Sequence, residues 1–185
     1  EYYFQKDSIY EILKFFFNNK YKNLWDLAKE NYGVNDKLRQ RFDTEKKYKD
    51  HLQLPEQKSC SIDLTTGTGK SFVIYGLAQI MLAEGLVDQV LVLCPSRTIE
   101  SSLTEKFVAL AGNKMLKKLL PKKSALANPR IVNATRTIKK GDICIENIHA
   151  VYKNTGSSIY DSLKNKGART LVLNDEAHHI FNKVS

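Results

Sequence analysis

The sequence predicts an α/β domain built on a parallel sheet, and three observations carry that expectation. From Lys58 onward, short apolar runs alternate with helical patterns, the signature of strands joined by crossover helices. Gln89–Cys94 reads QVLVLC, an unbroken apolar run of the kind found in a strand covered on both faces. A glycine-rich turn, Gly67-Thr68-Gly69, stands where an apolar stretch runs into an amphipathic one.

The elements follow in order. Ser8 and Glu11 form a capping-box pattern ahead of Ile9, Ile12, Leu13, Phe16 and Phe17, one helical stripe that ends at Asn18-Asn19. Residues 20–58 are polar and mixed in charge. Leu24, Trp25, Leu27 and Ala28 suggest a helix ending near Gly33, and Leu38, Phe42, Tyr48 and Leu52 suggest a second one stopped by Pro55. This stretch reads as a helical insertion before the sheet. Cys60–Leu64 is a predicted strand. Lys70–Glu84 is a predicted helix with Val73, Ile74, Leu77, Ile80 and Met81 inward. Gln89–Cys94 is a strand and Thr98–Leu110 a helix. A basic segment broken by Pro121 and Pro129 follows. Ile131–Ala134 and Ile143–Glu146 are short strands, Ser158–Lys166 is helical, and Thr170–Asn174 (TLVLN) is the last apolar strand.

At 185 residues, against about 150 per domain, the chain fits one domain with a little over. Apolar residues make up 42% and charged residues 26%, which excludes wholesale disorder. No apolar run reaches the roughly 18 residues a membrane-spanning helix needs, and no signal-peptide pattern opens the chain, so the expected location is cytoplasmic. Cys60, Cys94 and Cys144 are far apart, each in an apolar run, and read as reduced, buried thiols. The net charge is +9, from 29 basic and 20 acidic residues. Nine basic residues and no acidic one fall between Lys114 and Lys140, so that segment holds the whole net charge. It is either a solvated basic face or a surface that contacts phosphate.

Two sites carry chemistry. In Leu64-Thr65-Thr66-Gly67-Thr68-Gly69-Lys70-Ser71, the glycines let the backbone wrap closely and turn its N–H groups toward phosphate oxygens. The following helix adds the positive end of its dipole. Lys70 is placed to contact the outer phosphates and Ser71 to ligate Mg²⁺. The strict phosphate-loop pattern asks for glycine where this chain has Leu64. The second site is Asp175-Glu176-Ala177-His178-His179, directly after the last apolar strand. One carboxylate at such a strand end holds Mg²⁺ and its neighbour can act as general base on water, so Asp175 is the expected metal ligand and Glu176 the expected base. His178 and His179 are adjacent and lack the i, i+4 spacing of a zinc pair.

These two motifs, T-G-x-G-K-S and D-E-A-H, resemble motifs I and II of the superfamily 2 helicases and translocases. In that family the position of Leu64 is filled by Ala or another non-glycine residue. The resemblance implies a RecA-like P-loop NTPase domain that uses ATP and Mg²⁺, with Thr66, Gly67, Thr68, Gly69, Lys70 and Ser71 on the nucleotide. Tyr2-Tyr3-Phe4-Gln5 resembles the Q-motif region and implies that Gln5 reads adenine. Leu91 through Arg97 resembles motif Ia, and Glu146-Asn147-Ile148-His149 resembles a further strand-contact motif. Ser96, Arg97, Asn147 and His149 are thereby implied in nucleic-acid contact, and His178 in coupling. The Y-Y-x-Q start, the long insertion, E-N-I-H and N-D-E-A-H-H resemble the ATP-dependent type III restriction Res subunits.

The implied layout is one first RecA-like domain over 1–185: a Q-motif-like helix at 1–19, the insertion at 20–58, and the P-loop core at 59–185, cut just past motif II. The family's second RecA-like domain supplies arginine fingers and half of the nucleic-acid track, so this stretch is expected to bind nucleotide without completing a hydrolytic site. The implied partners are nucleic acid, DNA ahead of RNA, that second domain, and a methyltransferase or specificity subunit. An RNA helicase is the nearest rival. A nucleotide switch or scaffold without motor activity is another, weakened by the intact Glu176. A small-molecule kinase needs neither D-E-A-H nor the basic run.

Overall fold

The computed structural model describes residues 3–52, 54–65, 67–151 and 156–175. The chain divides into two compact units, 1–64 and 65–185.

The first unit is helical. Helix α1 spans Tyr3–Phe17 and turns Gln5, Ile9, Ile12 and Phe15 inward. It begins five residues before Ser8, so Ser8 is not its cap. The Ser8 hydroxyl instead donates back to the Phe4 carbonyl at 2.7 Å, the i−4 bond a serine makes inside a helix. Nothing in Tyr3-Phe4-Gln5-Lys6-Asp7 breaks a helix, which is why the start moves forward. Helix α2 (Leu24–Val34) is capped by Asn23, whose side chain accepts from the Asp26 N–H. The single helix expected through Leu38–Leu52 is two: α3 (Asp36–Arg41), capped by Asn35, and α4 (Glu45–His51), capped by Thr44. Thr44 accepts from the Lys47 N–H at 3.2 Å and so restarts the helix after Phe42. These short helices are held by an aromatic cluster. Tyr48 stacks on Tyr32 at 5.7 Å and meets Phe42 at 5.1 Å, and the Tyr32 hydroxyl donates to the Phe42 carbonyl.

The strand expected at Cys60–Leu64 does not form. A strand exists only through its ladder, and no residue of 60–64 joins one among the described residues. Cys60 is consequently exposed, whereas Cys94 and Cys144 are buried as expected.

The second unit is an α/β layer. Helix α5 (Lys70–Ala83) leads by a tight turn through Gly85 into β1 (Gln89–Cys94). Helix α6 (Arg97–Ala111) follows, then two short helices in the basic segment, α7 (Lys114–Leu119) and α8 (Lys122–Leu126). Strands β2 (Arg130–Val132) and β3 (Asp142–Asn147), helix α9 (Ile159–Leu163) and β4 (Thr170–Asn174) complete it. The sheet order is β2-β3-β1-β4 and every pairing is parallel. Val90 sits opposite both Ile143 and Leu171, and Ile131 opposite Ile143.

All six residues of β1 and of β3 are buried, as strands of a covered parallel sheet should be, although β3 carries Asp142, Glu146 and Asn147 among its apolar residues. Each buried Val, Leu or Ile contributes about 1.5–3 kcal/mol. Strand β4 departs from that reading. It is an edge among the described residues, and Val172 on it is half exposed. This is an α/β RecA-like domain. No described helix is long and apolar enough to cross a membrane.

Candidate functional site

The C-terminal ends of the strands gather most of the expected site. In an open parallel sheet, loops leaving that edge form the ligand crevice. Helix α5 returns antiparallel to the strands. Its fourteen residues rise about 21 Å, close to the length of a six-residue strand, and its last turn joins the start of β1. Its N-terminus therefore lies at the C-terminal edge of the sheet.

The loop before α5 is shaped by its glycines. Gly67 has φ 83° and Gly69 φ 87°, both in the left-handed region that favours glycine. The Thr68 hydroxyl and backbone N–H both donate to the Thr65 carbonyl, at 2.6 and 3.3 Å, which closes the turn. Gly69 is the N-cap and brings no side-chain oxygen to the helix start, and no acidic residue stands in the first turn. Lys70 puts a cation at the positive end of the helix dipole, an arrangement that costs stability unless an anion sits there. An uncapped helix start, two left-handed glycines and a lysine fit a bound polyphosphate. Lys70 and Ser71 are both half-buried. Thr66 lies outside the described residues.

Asp175 continues β4 by donating its N–H to the Leu93 carbonyl at 2.9 Å, which fixes it at the same edge. It is half-buried, and its charge reaches Cys94. Burial first, and then the carboxylates of Asp175, Glu100 and Glu146, push the Cys94 thiol up to about 12. Cys144 is likewise held up at about 12, by burial first and then by Glu146, Asp142 and Glu100. Both thiols stay protonated and chemically quiet. Glu176, His178 and His179 lie outside the described residues.

Ser96, Arg97 and Asn147 stand on the same edge but in different circumstances. Ser96 caps α6, its hydroxyl accepting from the Ile99 N–H at 3.3 Å. Arg97 is exposed at the first turn of α6. Asn147, the third implied nucleic-acid residue, ends β3. It is buried, and its amide donates to Glu146 Oε1 at 2.8 Å and Glu100 Oε2 at 3.2 Å, so it braces the strand end. His149 is exposed on a short 3₁₀ turn, Ile148–Val151. Gln5 is buried on the inner side of α1, inside the helix rather than ahead of it.

Two carboxylates escaped the sequence reading. Glu146 is the last residue but one of the buried strand β3, and Glu100 faces it from α6. Glu146 Oε2 also accepts from the Ala134 N–H at 3.0 Å, tying the loop after β2 to β3. The signal was an acidic residue near the C-terminal end of a short, largely apolar strand.

A family model described as type III restriction enzyme, res subunit, matches residues 2–184. The chain belongs to that family. No curated protein and no solved structure matches it. As a member of the Res-subunit family, it is a helicase-like ATPase motor domain.

Proposed function

We propose that this chain is the ATP-binding part of a DNA translocase motor acting in restriction. The supporting observation is the pairing of a glycine-shaped, uncapped helix start carrying Lys70 with a carboxylate, Asp175, anchored at the same sheet edge. Lys70 holds the outer phosphates. Ser71 and Asp175 are the residues to hold Mg²⁺, which neutralises phosphate charge when bound. Glu176 takes the proton of the attacking water. DNA is favoured over RNA because the family is described as a restriction enzyme subunit. A second RecA-like domain completes the hydrolytic site, and a methyltransferase or specificity subunit supplies target choice. Arg97 and Ser96 meet the nucleic-acid backbone, with His149 beside them, while Asn147 positions their strand end.

Calorimetry with ATP–Mg²⁺ tests the reading. A charge-assisted contact is worth about 1.5–3 kcal/mol, so Lys70→Ala weakens binding roughly tenfold or more. In the full-length motor, Glu176→Gln abolishes turnover and leaves ATP bound. Equal ATP affinity for wild type and Lys70→Ala would overturn the site. Repeating the titration with GTP on Gln5→Ala asks whether Gln5 reads the base.

A further inference from the structure

Helices α7 and α8 of the basic run do not lie at the nucleotide edge. Helix α8 packs on the C-terminal half of α5, where Gln79 donates to the Ser124 and Ala127 carbonyls, and Lys123 pairs with Glu84 just past the helix end. Lys140 pairs with Asp88 ahead of β1, and Arg130 with Asp142 at the start of β3. This is the N-terminal end of the strands, opposite the phosphate loop, Arg97 and Asp175. Three cations of the run are thus bound to the fold's own carboxylates. Lys114, Lys117, Lys118 and Lys122 pair with none among the described residues.

Those lysines do not stand alone. On α7, Leu116 faces inward, while Lys114 and Lys118 form one exposed i, i+4 pair beside a second, Met115 and Leu119. On α8, Ser124 faces inward and Lys122 and Leu126 form the exposed i, i+4 pair. Leu126 is 87% exposed and Met115 56%. Two short helices therefore present apolar side chains interleaved with unpaired ammonium groups. A phosphate backbone needs the ammonium groups but has no use for the Met and Leu side chains. A membrane surface needs a longer apolar face than helices of five and six residues offer. An acidic polypeptide with its own apolar stripe uses both.

We propose that the outward face of α7 and α8 docks an acidic, amphipathic segment of a partner protein, at the end of the sheet opposite the motor's chemistry. Its carboxylates meet Lys114, Lys118 and Lys122, and its apolar side chains cover Met115, Leu119 and Leu126. Docking here leaves the nucleotide edge open.

The probe is a synthetic helical peptide with glutamate and leucine at i, i+4 positions, titrated against the whole chain by fluorescence anisotropy. An all-glutamate peptide, a DNA duplex and anionic phospholipid vesicles are titrated alongside. Two variants are compared with wild type: Lys114→Ser with Lys118→Ser and Lys122→Ser, and Met115→Ser with Leu119→Ser and Leu126→Ser. All six residues are exposed, so both variants are expected to fold and to bind ATP as wild type does. The expected result is that each variant weakens the glutamate–leucine peptide roughly tenfold or more, and that the all-glutamate peptide binds more weakly than it. No binding to wild type, unchanged binding by either variant, or a lysine variant that loses only duplex or vesicle binding would each overturn the proposal.

Discussion

Glu146, 8% exposed, gives each carboxyl oxygen a backbone donor: the Asn147 N–H at 3.1 Å on Oε1 and the Ala134 N–H on Oε2. Glu100 is less well supplied. Burial foremost, and then the nearby Glu146 charge, hold its carboxyl above the ordinary carboxylate value, against the pull of the Asn147 amide. A carboxyl raised in the folded state stabilises fully below its unfolded pKa, and that stability is lost as pH rises through the folded value. Glu100→Gln removes the titration. The variant should melt higher than wild type near neutral pH, by less than about 1 kcal/mol because Glu100 is partly exposed, and the difference should close as pH falls through the carboxylate range. Thermal melts across that range check it, and a variant no more stable at neutral pH would show that the two carboxylates do not oppose each other. None of this was legible in the sequence, because Glu100 and Glu146 meet only through the packing of α6 on β3. The glycine turn and the helix start at Lys70 were legible, because their causes are local: backbone conformation and one helix terminus.

Helix α8 has five residues, far below the length at which a helix stands alone in water. Its stability comes from Gln79, 1% exposed on α5, whose amide reaches the Ser124 carbonyl at 2.6 Å and the Ala127 carbonyl at 3.0 Å. The Ser124 hydroxyl adds a bond to Glu84 at 3.2 Å. Gln79→Leu keeps the volume and removes both bonds; the Ser124 carbonyl still accepts from the Ala127 N–H, so the Ala127 carbonyl alone loses its donor, at a cost of about 1–3 kcal/mol. Its urea midpoint should drop accordingly, and α8 should lose amide-exchange protection ahead of β1 and β3. An unchanged midpoint would mean that the bonds carry no net stability. The same reasoning separates what periodicity could find from what it could not. Strands Gln89–Cys94 and Thr170–Asn174 and the long helices α5 and α6 announced themselves through many side chains each. Helix α8 rests on one distant side chain, Gln79, which no local window contains; α7 and the break between α3 and α4 rest on single caps, Asn113 and Thr44, which apolar periodicity does not register. Cys60–Leu64 had a strand's composition without a ladder partner among the described residues.

The sheet separates two kinds of surface by its polarity. At the strands' C-terminal edge lie the phosphate loop, Asp175, Ser96 and Arg97. At the N-terminal edge lie α7 and α8 with their lysines, Arg130 and Lys140, and the carboxylates that take up part of that charge, Glu84, Asp88 and Asp142. Asp88 joins Lys140 and Arg169, with the Arg169 and Lys140 side chains holding its carboxyl below the ordinary value, so the charge excess there is partly structural. The basic run and the edge proposed to meet nucleic acid therefore lie apart. Each phosphate neutralised releases counterion, so a plot of log affinity against log salt has a slope of about −0.9 per contact on duplex DNA. If the motor tracks DNA along the C-terminal edge, Arg97→Ala should weaken binding to all sequences alike and make the slope shallower by about one contact. The triple serine variant at Lys114, Lys118 and Lys122 should keep the wild-type slope, since those lysines face away from that edge. A salt titration of the three proteins on one duplex decides between the edges. A slope lost with the lysines and kept without Arg97 would move the DNA to the opposite end of the sheet and remove Arg97 from the interface.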